Sequence, residues 1–165
     1  MKRVYTIFLA LILTVTVAIP ATFAADEMLK KMNEILKKGP AERHYQVTAD
    51  EVYNWMKMKK TDFLVVDVRF PNDYRAGHIP GAINIPYNEM LEPANLNKLP
   101  KNKKIVLACY TGQTDNLPLI PLRALGYNAL AMSFGNAAWI KGSSGAMNME
   151  KAIKGAATKN YPVVK

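Results

Sequence analysis

Two short apolar runs restrict what this chain can fold into more than any other feature. Residues 63–68 (Phe-Leu-Val-Val-Asp-Val) and 105–108 (Ile-Val-Leu-Ala) are nearly continuous in apolar character and do not alternate. Alternation suits a strand with one wet face. A continuous run of strand length suits a strand covered on both faces, as in a parallel sheet. Parallel neighbours need crossover connections, usually helices. Helical patterns do lie between the strands, so the sequence predicts an α/β domain with a mainly parallel sheet.

Local signals predict the remaining elements. Residues 26–38 place Met28, Leu29, Met32, Ile35 and Leu36 at helical spacing, open with acids, close with lysines and stop at Gly39-Pro40. That is an amphipathic helix, either packed on the outside of the domain or free for a membrane surface or a partner protein. Residues 44–47 read as a short strand. Thr48-Ala49-Asp50-Glu51 is a capping box that opens a helix with Val52, Trp55 and Met56 on one face. Further strands are expected at 82–85 and 128–132, broken helix at 88–99, and helices at 117–125 and 137–141. After Gly142, the loose Ser143-Ser144-Gly145 stretch predicts that residues 143–165 form a tail of mixed or no fixed structure.

The N-terminal segment has the pattern of a secretory signal peptide. Lys2 and Arg3 precede an apolar stretch over residues 4–19, which ends in Pro20 and Thr22-Phe23-Ala24. Cleavage is expected after Ala24, giving an exported protein, periplasmic or secreted, without stable membrane insertion; the alternative is an uncleaved anchor. The formal charge is +9, and removal of Lys2 and Arg3 leaves +7. The lysines are spread near helix ends and turns, so the excess charge predicts attraction of small anions and not a nucleic-acid partner.

One cysteine, Cys109, is present in a chain expected in an oxidising compartment, so no intramolecular disulfide can form. Cys109 directly follows the run 105–108 and precedes a helix. In open α/β sheets, ligands bind outside the carboxyl ends of the strands. The next residues, Tyr110, Thr111, Gly112, Gln113 and Thr114, make a short loop whose backbone N–H groups would form a concave cradle for an anion. Such a cradle favours the thiolate, the nucleophilic form of cysteine. Two histidines and one cysteine, scattered along the chain, provide no metal-site spacing, and no cofactor is expected.

Residues 65–86, VVDVRFPNDYRAGHIPGAINIP, closely resemble the first signature of rhodanese-like domains, above all in Asp67-Val68-Arg69 and Gly77-His78-Ile79-Pro80-Gly81-Ala82. The loop CYTGQT resembles that family's six-residue active-site loop, and Leu125-Gly126-Tyr127 and residues 135–139 resemble the closing part of the domain. The resemblance covers about residues 43–142. It divides the chain into a signal peptide (1–24), an amphipathic helix and linker (25–42), the rhodanese-like domain and a C-terminal tail (143–165).

The resemblance implies a five-stranded, mainly parallel sheet flanked by helices, and sulfur transfer from an anionic donor such as thiosulfate to a thiophilic acceptor. Cys109 is then the nucleophile that becomes a persulfide, and the N–H groups of Tyr110 to Thr114 cradle it. Arg69 stands at the pocket mouth steering the donor, or else in an ion pair with Asp67 or Asp73. Asp67 and His78 give structural support, His78 by a hydrogen bond to backbone. The sequence departs from the pattern at Phe70, where an acid is common, at Asn136, where a glycine is usual, and at Pro118 and Pro121 in the helix after the loop.

Related folds that hydrolyse phosphate esters carry an arginine six residues after the cysteine; here that position is Asp115. A carboxylate would repel the substrate, and on this reading Asp115 takes no part in sulfur transfer itself. A disulfide oxidoreductase would need a second cysteine. The remaining rival is a non-catalytic rhodanese-like module that binds or carries sulfur for a partner protein. For the signal peptide, N-terminal sequencing of the exported protein should start at Ala25; a membrane-bound product that retains Met1 would refute the assignment.

Overall fold

The computed structural model describes residues 21–159 and 161–164. The expected signal peptide therefore lies largely outside the described residues, and the first described helix, α1 (Ala21–Lys38), crosses the expected cleavage position. Five parallel strands, β1 (Gln46–Val47), β2 (Phe63–Asp67), β3 (Ile83–Asn84), β4 (Lys104–Ala108) and β5 (Asn128–Met132), form one sheet in the order β1-β5-β4-β2-β3. The domain is α/β with an all-parallel sheet, as the two apolar runs require.

β4 is the centre of the sheet. It pairs with β2 from Phe63–Lys104 to Asp67–Ala108 and with β5 from Lys104–Asn128 to Leu107–Ala131. Its alternate residues enter two different cores: Ile105 and Leu107 join Val66, Leu119 and Leu122 on one face, while Val106 and Ala108 join Val47, Val52 and Val65 on the other. Period-two geometry sends neighbouring side chains to opposite faces, so burial of both explains why the run is continuous.

Helices α2 (Ala49–Lys57), α3 (Pro71–Ala76), α4 (Pro93–Leu96), α5 (Asn116–Ala124) and α6 (Ser144–Lys159) complete the domain. The capping box is present: Thr48 Oγ1 accepts from Glu51 N–H at 3.2 Å, and Glu51 Oε2 accepts from Thr48 N–H at 2.9 Å. On α1, among the side chains described (residues 25–38), only Met32 and Ile35 are half-buried, and Met28, Leu29 and Leu36 face solvent. Helix α1 packs against α5, the outside position expected, with Ile35 on the core and its carbonyl accepting from Tyr45 Oη at 2.6 Å.

Four expectations need correction. The strand expected at 44–47 is confined to Gln46–Val47, because Arg43, His44 and Tyr45 take left-handed backbone (φ 54, 54 and 59°). Tertiary contacts hold that unusual turn: Tyr45 is buried under the Arg123 guanidinium, 3.6 Å from its ring, and Arg123 also pairs with Glu42 at 3.0 Å. The broken helix at 88–99 is a 3-10 turn (Tyr87–Glu89) followed by the short α4. The helix expected at 137–141 is instead a 3-10 turn at Gly135–Ala138, drawn forward by hydrogen bonds to the loop after β4.

The fourth concerns the tail, which contains the sixteen-residue helix α6. Ser143 caps it by accepting from Ala146 N–H at 3.2 Å, and Glu150 pairs with Lys154 one turn on. Gly145 looks like a helix breaker in the sequence, yet the fold needs it: a Cβ there would lie 2.5 Å from the Tyr110 carbonyl oxygen. Helix α5 tolerates its prolines for a different reason. Pro118 sits in the first turn, and the bond that Pro121 cannot donate would have gone to the carbonyl of Leu117, a residue 61% exposed. Leu107 is fully buried in the central strand, so Leu107→Ala should cost about 2–5 kcal/mol, read as a lower urea midpoint.

Candidate active site

The loop at residues 109–114 leaves the carboxyl end of β4 and turns into α5. Cys109 is buried and its Sγ accepts from Gly112 N–H at 3.1 Å. Of the five cradle amides expected, only this one reaches the sulfur among the described residues. Gly112 has φ +79°, and a Cβ there would stand 2.6 Å from Phe134 N. No side chain fits, which is why the loop carries glycine at that place.

A second segment clamps the loop from behind. The Cys109 carbonyl accepts from both Asn136 N–H (2.7 Å) and Asn136 Nδ2 (3.0 Å), and the Tyr110 carbonyl accepts from Ala137 N–H at 3.0 Å. Gly135 must be glycine here as well, since a Cβ would come within 2.5 Å of the Cys109 carbonyl oxygen. Sequence reasoning noted Asn136 only as a departure from the family pattern. Its role was signalled by its neighbour: a polar residue directly after a glycine that touches the loop.

On one flank of the loop lies a connected polar array. Tyr110 Oη donates to Asp73 Oδ2 at 2.6 Å, and burial followed by that contact pushes the phenol up to about 12. The Arg69 guanidinium is 5.8 Å from the Tyr110 ring. Arg69 donates from Nε and Nη2 to Asp67, the closest contact 2.6 Å, and from Nη2 to the Gly77 carbonyl at 2.7 Å. Burial opposes its charge, but hydrogen bonding and attraction to Asp67 outweigh that, so its affinity for the proton is raised. Of the two roles weighed for Arg69, the structure shows the ion pair with Asp67; with Asp73 it also lines a polar depression of 180 Å³ beside the start of α6. His78 stacks on Tyr74 at 3.8 Å and its Nδ1 donates to the Tyr74 carbonyl at 2.9 Å, a backbone contact on the exposed end of α3.

At the end of the loop stands Asp115, to which the sequence reading gave no part in sulfur transfer. Asp115 is fully buried, its Oδ1 accepts from Asn116 Nδ2 at 3.2 Å, and Oδ2 has no hydrogen-bond partner. Burial pushes this carboxyl up to about 6, against hydrogen bonding from the Cys109 main chain and thiol and from the N–H groups of Asp115 and Asn116. Neither Cys109 group meets Oδ2 in full hydrogen-bond geometry, so the thiol lies beside a carboxyl with one oxygen still open. The available signal was a charged residue inside the otherwise neutral start of a helix that had to pack on the sheet.

Thr111 and Thr114 are half-buried and Gln113 is exposed. Thr111 Cγ2 and the Tyr110 carbonyl face Gly145, so the first turn of α6 closes over the loop. An apolar groove of 470 Å³ runs between α6 and the Gly135–Ala138 turn, with Phe134 at its edge; Cys109 does not line it. Among the described residues no cluster of His, Cys, Asp and Glu has the geometry of a metal site, and no helix is long and apolar enough to cross a membrane.

A buried strand followed directly by a cysteine, a glycine-dependent loop and a helix make this a parallel α/β domain with its candidate site at the carboxyl end of the central strand. The family model of the Rhodanese-like domain matches residues 48–142, and the chain belongs to that family. Curated relatives include a tRNA sulfurtransferase of Desulfurococcus amylolyticus, 33% identical over 49% of this chain but only 16% of that protein. Thiosulfate sulfurtransferase GlpE of Pseudoalteromonas translucida is 32% identical over 50% of this chain and 77% of its own length. Among solved structures, a rhodanese-like domain protein from Staphylococcus aureus superposes with a TM-score of 0.53 at 30% identity, covering 60% of this chain and 95% of that one.

The buried Asp67–Arg69 pair should be tightly coupled to stability. Asp67→Asn would leave Arg69 charged and uncompensated in the interior and should cost about 3–5 kcal/mol, whereas the double change Asp67→Leu with Arg69→Met should recover most of it. Urea denaturation of the two variants checks this.

Proposed function

We propose that this protein is a sulfurtransferase that carries a sulfane sulfur on Cys109 as a persulfide, taking it from a small anionic donor such as thiosulfate and passing it to a thiophilic acceptor. The observation that carries the proposal is the Gly112 N–H directed at Cys109 Sγ over 3.1 Å, at the carboxyl end of the central strand. An amide aimed at sulfur stabilises the negative charge that sulfur carries as it attacks and the persulfide anion that results. Relatives named as sulfurtransferases at about 30% identity support the class of reaction. The anionic donor and thiophilic acceptor are those that the resemblance of residues 65–86 and 109–114 to rhodanese-like domains implies. In the loading step, the sulfur lone pair attacks the outer sulfur of thiosulfate, the S–S bond breaks, and sulfite leaves with the electron pair. We place the protein outside the cytoplasm, on the signal-peptide pattern of residues 1–24.

One observation favours the second reading, a non-catalytic module that binds or carries sulfur for a partner protein. Cys109 is 0% exposed and the first turn of α6 lies over its loop. Transfer to a small molecule therefore requires the cover to move. Intact-mass measurement after incubation with thiosulfate separates the two readings: the wild type should gain one sulfur and Cys109→Ser none, and thiosulfate:cyanide transfer should vanish in the same variant. Loading of Cys109→Ser would refute the mechanism. A wild type that gains no sulfur from any of several donors would shift the function to the binding module.

A further inference from the structure

Asp115 is the one fully buried ionisable group at the loop that the proposed transfer does not use. Three features of its surroundings bear on what it does. Its residue is 0% exposed, so water does not solvate the carboxyl. Oδ2 has no partner, while Oδ1 is held by the Asn116 side-chain amide. The thiol of Cys109 lies beside it, with Gly112 N–H on the sulfur as well. Gly112 N–H favours negative charge on sulfur, and the unpartnered Oδ2 is an acceptor with capacity for its proton.

A second, uncompensated charge in such a place is strongly disfavoured. If loading created a persulfide anion while Asp115 stayed ionised, two negative charges would share one dry site. We propose that Asp115 is a catalytic residue of this active site, which takes the Cys109 proton when sulfur is loaded and holds it for as long as the persulfide is present. This inference rests on the sulfurtransferase reading and deepens it. The step balances without any exchange with solvent: the thiol, the Asp115 carboxylate and thiosulfate become the persulfide anion, the neutral carboxylic acid and sulfite. One proton moves from sulfur to oxygen, one S–S bond breaks and another forms, and the buried pair carries a single negative charge before and after. The neutral acid can then donate a hydrogen bond to the loaded sulfur. When the acceptor removes the outer sulfur, the proton returns to Cys109.

Few other charges can perform this role. Cys109 is the titratable side chain that acts on Asp115, and the other contacts, the Asn116 amide and the main-chain N–H groups of Asp115 and Asn116, are neutral. Arg69, Asp73 and Tyr110 are engaged in their own array, where Tyr110 bonds to Asp73 and Arg69 to Asp67. The carboxyl is pushed up to about 6 in the unloaded protein, so it is ionised and able to accept a proton at neutral pH, and a modest change in its neighbour is enough to protonate it.

Infrared difference spectroscopy of the mature protein, with and without thiosulfate and with loading confirmed by intact mass, tests the inference. Loading of the wild type should produce the C=O stretch of a protonated carboxyl, shifted in D₂O and by ¹³C-aspartate labelling, with loss of a carboxylate band. The isotope shift identifies an aspartate without relying on a variant. Asp115→Asn should load without the band, on the order of 100-fold more slowly at neutral pH. The wild-type loading rate should fall as pH drops through about 6, where the carboxylate is lost, and the variant should lack that step. A loaded wild type without the band, or an Asp115→Asn variant with unchanged rate and pH profile, overturns the role of Asp115 and leaves the sulfurtransferase reading standing. A wild type that gains no sulfur overturns both.

Discussion

The Cys109 carbonyl oxygen accepts two hydrogen bonds from one residue, Asn136, and the geometry of the site depends on that junction. It fixes the first peptide beyond the central strand against the segment following β5, so the loop after Cys109 starts from a rigid point. Two glycines make the junction possible. With Gly112 and Gly135 packed so that any Cβ would come within 2.6 Å of backbone, the two segments are in contact along their main chains. Neither segment can shift without breaking buried hydrogen bonds, each of which is expensive to leave unmade.

Charge is arranged around that rigid point in two separate groups. Arg69, Asp67, Asp73 and Tyr110 form a satisfied network in which each buried charge has an opposite charge or a donor beside it. Asp115 is incompletely satisfied, and the buried oxygen of Asn136, Oδ1, likewise has no partner. A satisfied buried network sets structure, whereas an unsatisfied group next to a nucleophile has capacity left for chemistry. The contrast follows from local sequence. Arg69 is two residues from Asp67 at the end of a strand, which favours pairing, while Asp115 enters a helix start in which Leu117, Pro118 and Leu119 follow and no cation is near.

The fold was legible in the sequence where packing depends on short-range pattern. The runs at 63–68 and 105–108 became the paired centre of the sheet because double-sided burial leaves a one-dimensional signature. The capping box at Thr48 and Glu51 and the Gly-containing loop after Cys109 were legible for the same reason. Features that depend on distant residues were not. Left-handed backbone at Arg43 to Tyr45 is held by Arg123, about eighty positions away in the chain and beyond any local window. Nor does the sequence show that Asn136 would bond to Cys109 or that Asp115 would point inward, since both are polar residues whose default place is the surface.

Helix α6 shows how one misleading residue can hide a whole element. Gly145 inside a Ser-Ser-Gly stretch has the local character of a linker, and helix propensity puts Gly about 1 kcal/mol below Ala. Yet the same glycine lets α6 approach the Tyr110 carbonyl as no other residue could, and the approach is to the loop that holds Cys109. The family match ends at residue 142 and α6 begins at Ser144. This contact is therefore made by a part of the chain outside the matched domain, onto the main chain of the loop that follows Cys109. A helix so placed packs on the main chain of the loop that begins at Cys109, so the shape of that loop depends on the C-terminal helix as well as on the segment after β5.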